Sequence, residues 1–152
     1  MRLNARVDYA LRAVVELAAA GGSADRPVTA ERLATAQEIP PKFLESILLQ
    51  LRRAGVINSQ RGPDGGYWLA RPAGEISLAD VIRIIDGPLA NVRGQRPEDL
   101  GYHGPARSLQ EVWIALRASE REILDLVTVD QVATAQLPKR IRTLAADPDA
   151  WV

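Results

Sequence analysis

Apolar residues recur at Val7, Ala10, Leu11, Val14, Leu17 and Ala18 and stop at Gly21-Gly22. Returns of three and four positions ended by glycine are the mark of an amphipathic helix, and they predict a first helix over Asn4 to Ala20. Thr29 then precedes Ala30-Glu31-Arg32-Leu33-Ala34, a capping hydroxyl with an acid in the first turn, where the helix dipole favours negative charge. A short second helix follows from it. Pro40-Pro41 opens a third, since proline is tolerated in a first turn, and Leu44, Ile47, Leu48 and Leu51 give that helix one clean apolar stripe ending at Ala54-Gly55. Helix two, a turn around Gln37 to Ile39 and helix three make a helix-turn-helix.

Val56-Ile57-Asn58-Ser59 and Tyr67-Trp68-Leu69-Ala70 flank the stretch QRGPDGG, so two short strands surround a turn of glycine, proline and aspartate. A hairpin directly after a helix-turn-helix is a wing, and the first half is predicted to be a winged helix. Tyr67 and Trp68 point to opposite faces of their strand, so at least one packs against helix three. Gly62, Gly65 and Gly66 let the backbone turn and approach a partner closely, and Arg61 stands where a guanidinium can enter a minor groove or meet phosphate. Taken alone, the same hairpin is equally an ordinary structural turn with an exposed arginine.

Lys42, Glu45, Ser46 and Leu49 fall off the apolar stripe of helix three, on its outward face, and the N-terminal part of a recognition helix is what meets base edges. Lys42 suits guanine acceptors or phosphate, and Glu45 can accept from cytosine N4. Arg52 and Arg53 lie further along and suit backbone phosphate or plain solvent.

In the second half Ser77-Leu78-Ala79-Asp80 reads as a capped start to a fourth helix that stops at Gly87-Pro88. Pro88 to Arg107 is a loop rich in glycine and proline. Ser108-Leu109-Gln110-Glu111 reads as a capping box, and the helix behind it carries Leu109, Val112, Leu116, Ser119, Ile123 and Leu126 at heptad spacing. Trp113, Ile114, Leu124 and Val127 add a second apolar flank, so this helix is expected to serve its own core and a twin. One amphipathic helix lying on the winged-helix core is the plainer alternative. Thr128-Val129-Asp130-Gln131 is another capping box opening a short helix, after which the tail beyond Pro138 signals helix only weakly. The expected organisation is a DNA-binding module over 1–87, a loop over 88–107, and a dimerisation helix with tail over 108–152.

Composition changes this picture in what it excludes. The chain has 152 residues, no cysteine and one histidine. Disulfides, thiolate catalysis and cysteine-ligated zinc or iron–sulfur clusters are therefore ruled out by composition, and His103 cannot build a metal site alone. No phosphate loop or paired nucleophile and base is present, so no enzyme is expected. No secretion signal or membrane-spanning run is apparent, because the apolar stretch from Ala13 to Ala20 is short and broken by Glu16; a cytoplasmic protein is expected. Net charge is zero, yet residues 1–71 hold ten Lys and Arg against seven Asp and Glu, while 72–152 hold nine against twelve. The basic excess falls on the half expected to meet phosphate.

Arg61-Gly62-Pro63-x-Gly65-Gly66-Tyr67-x-Leu69, with Met1-Arg2-Leu3, Asp8-Tyr9-Ala10-Leu11-Arg12 and Ile39-Pro40-Pro41-Lys42-Phe43-Leu44-Glu45, resembles the Rrf-two family of bacterial winged-helix transcriptional regulators from Met1 to about Val132. The resemblance implies a mainly helical fold with a small β-hairpin, a winged helix-turn-helix with a long C-terminal dimerisation helix. It also implies a homodimer bound to double-stranded DNA, acting as a repressor or activator. Carried over by position, the base-reading residues are Pro41, Lys42, Phe43 and Glu45, with Arg61 from the wing. Cluster-binding members carry cysteines in the loop that runs here from Ala90 to Pro105, and this loop has none, so no cluster or other cofactor is expected. Asp8 stands where some members place a further carboxylate ligand; without thiolates it reads as a surface or cap residue. The loop with Tyr102 and His103, near Trp113, is open to three roles: a small-effector pocket, a protein contact or plain packing. A winged helix serving protein–protein assembly is the rival from another class, told apart by the steep salt dependence of a phosphate-driven complex.

Overall fold

A computed structural model describes residues 2–151; Met1, the first residue of the Met1-Arg2-Leu3 resemblance, and Val152 lie outside the described residues. The chain runs α1 (Ala5–Ala20), α2 (Ala30–Gln37), α3 (Pro41–Arg53), β1 (Ile57–Gln60), β2 (Gly66–Leu69), α4 (Leu78–Asp86), α5 (Leu109–Leu124), α6 (Val129–Ala133) and α7 (Lys139–Ala145). Short 3-10 turns fill Ala73–Glu75, Pro97–Asp99, Gly104–Ser108 and Pro148–Trp151. Among the described residues no helix is long and apolar enough to cross a membrane.

Local signals set most of these boundaries. The Asn4 side chain accepts from the Val7 N–H and Gly21 closes α1 with φ 60°, while Thr29 caps α2 through the Arg32 N–H. The turn between α2 and α3 is made by Glu38 in the left-handed region (φ 51°) and by Pro40, and Pro41 then starts α3. Leu44, Ile47, Leu48 and Leu51 are all buried, as the stripe predicts. Side chains of this kind contribute about 1.5–3 kcal/mol each when taken out of water. Surface ion pairs are worth about 0–1 kcal/mol, so α3 is anchored by its apolar side and its outward side stays exposed.

The hairpin pairs antiparallel with Ile57 opposite Leu69 and Gln60 opposite Gly66, one residue later on β1 and one earlier on β2 than the pattern predicts. Val28, from the loop before α2, adds a rung from a third segment: its N–H and C=O both bond to Tyr67 at 2.8 Å. Tyr67 packs against the core and Trp68 is half-buried on the other face.

Three expectations for the second half are adjusted. Ser108 makes no capping bond, because the 3-10 turn Gly104–Ser108 runs straight into α5 and leaves Ser108 at φ −69°, ψ −11° instead of the extended conformation a cap needs. α5 stops at Leu124, so Leu126 and Val127 lie in the turn beyond it; there Thr128, with Gln131, forms the predicted capping box of α6. The chain then returns to the first half. Val129 is fully buried in the main core and its N–H donates to Ile76 C=O at 2.9 Å, while Leu78 N–H donates to Val127 C=O at 3.0 Å. Beyond Pro138 the weak signal becomes a real helix, α7, whose Arg140 donates to Glu122 on α5 at 2.6 Å.

Candidate nucleic-acid interface

Two elements meet along one groove: the outward side of α3, and the wing. Lys42, Glu45 and Leu49 line it from the helix, and Gln60, Arg61 and Gly65 from the hairpin. The helix arrives there because its apolar stripe faces inward, and the wing because Val56 and Ile57 are fully buried directly after α3. Lys42, Glu45 and Arg61 are exposed, and Arg61 sits at the mouth of a turn in which Gly62 takes φ 107°. The three side chains with the strongest base- and phosphate-reading chemistry thus share one surface.

Most of the remaining predicted residues have partners within the chain. Pro41 is the first residue of α3 and is exposed. Phe43 is 50% exposed, with its ring centroid 5.9 Å from that of Tyr9, which in turn lies 4.9 Å beneath the Arg12 guanidinium. Ser46 accepts from Arg6 Nη1 at 2.9 Å and donates to the Phe43 C=O at 3.1 Å. Arg52 donates to Ser59 Oγ at 3.2 Å, tying the recognition helix to the wing. Gly65 and Gly66 have an internal reason to be glycine: a Cβ would come within 2.2 Å of Gln60 O at the first and 2.5 Å of Val28 O at the second. Asp8 is an ion-pair partner of Arg12 at 2.7 Å.

Sequence reasoning missed a buttress behind this face. Arg6 Nη2 donates to Gln50 Oε1 at 2.9 Å, and Gln50 Nε2 donates to Ile84 C=O at 2.6 Å, so α1, α3 and α4 are joined by side-chain bonds at the back of the recognition helix. No short-range pattern announces contacts between residues so far apart in the chain. In the loop, Trp113 Nε1 donates to Tyr102 Oη at 2.9 Å, which uses both aromatics in fastening the loop to α5, while His103 stays exposed.

Comparison with known proteins places this geometry. The Rrf2 family model, described as an iron-dependent transcriptional regulator, matches residues 3–135. Rv1287 of Mycobacterium tuberculosis is 51% identical over 97% of this chain and 90% of its own length. The HTH-type transcriptional regulator CymR of Bacillus subtilis is 31% identical over 88% of this chain and 91% of its own. Among solved structures, that of CymR (YrzC), the global cysteine regulator of B. subtilis, matches with TM-score 0.73 at 30% identity, covering 89% of this chain and 98% of the other. T. potens IscR matches with TM-score 0.68 at 27% identity, covering 94% and 96%.

The iron in the family's description does not fit this chain. With no cysteine and one histidine there is no thiolate to hold a cluster, and no group of three or more His, Asp or Glu side chains gathers among the described residues. What the family shares with this chain is the winged helix and its use. The chain belongs to the Rrf2 family and is a DNA-binding transcriptional regulator, not an enzyme.

Proposed function

We propose that the chain is a homodimeric repressor that occupies an inverted-repeat operator in the cytoplasm and works without an iron–sulfur cluster. The observation that carries the reading is the groove between α3 and the wing, where Lys42, Glu45 and Arg61 are exposed together. α3 enters the major groove, with Lys42 toward guanine or phosphate and Glu45 toward cytosine N4. Arg61 reaches the flanking minor groove, which is narrow and strongly negative where A·T pairs dominate. Pro41, Phe43 and Ser46 shape the leading turn of the helix, Arg52 holds the wing to it, and Gly65 and Gly66 keep the hairpin tight.

A second copy is supported by α5. Leu109, Val112, Leu116 and Ile123, with Leu126 just past the helix end, leave 39–53% of their surface exposed, a larger apolar stripe than a lone surface helix has reason to carry. A two-fold pair of such chains presents two recognition helices and two wings, hence the inverted repeat.

Binding to matched and scrambled operators at two salt concentrations tests the assignment. Arg61→Ala is expected to weaken specific binding by roughly 1–3 kcal/mol per half-site and to flatten the preference for A·T at the flanks. Glu45→Ala is expected to relax discrimination at one base pair per half-site and to raise non-specific affinity, because a negative charge near phosphate is gone. If Arg61→Ala binds both DNAs as the parent does, the wing is a structural turn and this reading of it fails.

A further inference from the structure

Away from the DNA-reading face, four arginines from three elements line one cavity of about 530 Å³: Arg83 on α4, Arg96 in the 88–107 loop, and Arg117 and Arg121 on α5. Gly87, Pro88 and Leu89 complete it, and Glu98 is the one carboxylate in its lining. The cavity falls within the 300–1,000 Å³ usual for small-ligand sites. Guanidiniums repel one another, and anions among them offset that repulsion.

The chain supplies some of these anions from the side. Asp125 accepts from Arg83 through both nitrogens, at 2.9 and 3.2 Å, and from Arg121 Nε at 3.0 Å. Asp80 approaches Arg83 at 3.8 Å, and Glu98 pairs with Arg117. The Arg96 carbonyl accepts from the Asp99 N–H at 3.0 Å, while its guanidinium makes no hydrogen bond or ion pair among the described residues and acts on Glu98 only through its charge. Each guanidinium carries five N–H donors and most of these remain unused. The Arg83 and Arg121 hydrogen bonds, in that order, hold the Asp125 carboxyl below the usual carboxylate range; for Glu98 its own backbone N–H acts first and Arg117 next.

We infer that this cavity is an effector site for a small multivalent anion bearing carboxylate or phosphate groups, which bridges Arg96 and Arg117 to Arg83 and Arg121 in competition with Glu98. Planar guanidiniums match such groups bidentately, as Arg83 already does with Asp125. The site is placed to be felt elsewhere. Arg83 is adjacent to Ile84, whose carbonyl holds Gln50 on the recognition helix, and Arg117 and Arg121 ride on α5, which bears the proposed dimer seam. An anion joining α4 to α5 therefore acts on the relation between the reading helix and the seam. This regulatory half rests on the operator reading above; the binding half does not.

Calorimetric titration of the full chain at constant ionic strength, with citrate as the carboxylate probe and pyrophosphate as the phosphate probe, separates the two sources. One saturable site per chain is expected for at least one probe. Arg96→Ala should weaken it by about tenfold or more, Glu98→Gln should tighten it by removing the competing carboxylate, and Arg32→Ala, an exposed arginine on α2, should leave it unchanged. Absence of saturation by either probe at millimolar concentration overturns the inference, as does binding indifferent to both Arg96→Ala and Glu98→Gln. Operator affinity is then measured with and without the probe; by linkage the probe's own affinity must change by the same factor when DNA is bound. Probe binding that leaves operator affinity untouched overturns the effector role. Intact probe binding by a chain that binds no DNA overturns the operator reading instead and supports the cavity as a ligand site.

Discussion

At Gly66 the chain passes so close to Val28 that a single added carbon would sit 2.5 Å from its carbonyl oxygen, and at Gly65 the distance to Gln60 O would be 2.2 Å. Both are contacts of backbone on backbone, which no side-chain rotation relieves. Alanine at Gly65 has to push the turn of the wing open against Gln60 and Gly62, and alanine at Gly66 has to displace Val28 and its pairing with Tyr67. Gly65→Ala and Gly66→Ala are expected to lower unfolding free energy by roughly 1–3 kcal/mol in urea titration, in the range of overpacking changes. Arg61→Ala, exposed at the mouth of the same turn, should stay within about 0.5 kcal/mol of the parent. The contrast matters for reading DNA-binding data: glycine variants lose the wing, whereas the arginine variant loses only a guanidinium. Parent-like unfolding of Gly65→Ala would mean that the glycine serves the DNA contact alone.

Among elements, the capping residues give the sharpest comparison. Thr128 accepts from Gln131 N–H at 3.3 Å while Gln131 Oε1 accepts from Thr128 N–H at 3.0 Å; Ser108, with the same kind of sequence around it, makes no such bond. Thr128→Ala is expected to cost about 1 kcal/mol and Ser108→Ala less than about 0.5 kcal/mol, measured by thermal unfolding. Equal effects would refute the difference in geometry. The pair also marks how far local pattern reaches. The α3 stripe, the wing and the Ser77 and Thr128 boxes were legible because each is fixed by residues a few positions apart. Ser108 was not, because the 3-10 turn before it sets its backbone, and Gly104 to Ser108 carries no periodic apolar signal. At the proposed reading face, Lys42, Glu45 and Arg61 were legible as exposed side chains on α3 and the wing. The internal partners of Ser46 and Arg52 were not, nor was the Arg6–Gln50–Ile84 buttress or the arginine cavity, because these are assembled by tertiary packing from distant segments.

At the scale of the whole molecule, α5 has a side that the described residues do not cover. Leu124 turns the end of α5 toward the body, packing beside Val7, Ala79, Ile82 and Leu89, whereas Trp113 bonds the 88–107 loop and Ile114, expected on the inward flank, is 38% exposed. Leu109, Val112, Leu116, Ile123 and Leu126 remain outward. Each is already partly covered, so completing its burial is worth roughly 1 kcal/mol, and two copies together gain roughly 10 kcal/mol. That is of the order of the roughly 4–15 kcal/mol that association costs in lost freedom. The free dimer is accordingly expected to be of moderate strength and to be reinforced when both reading heads hold one operator. Leu116→Asp tests this with little risk to the fold, because Leu116 is 39% exposed and outside both core clusters. In a dimer it would place a carboxylate from each copy in a desolvated seam with no partner, a penalty of several kcal/mol. The variant should keep the parent's circular dichroism and urea midpoint at low concentration, sediment as a monomer, and bind a single half-site as the parent does while losing the advantage of the full inverted repeat. A Leu116→Asp chain that still sediments as a stable dimer would place the interface elsewhere and leave the α5 stripe unexplained.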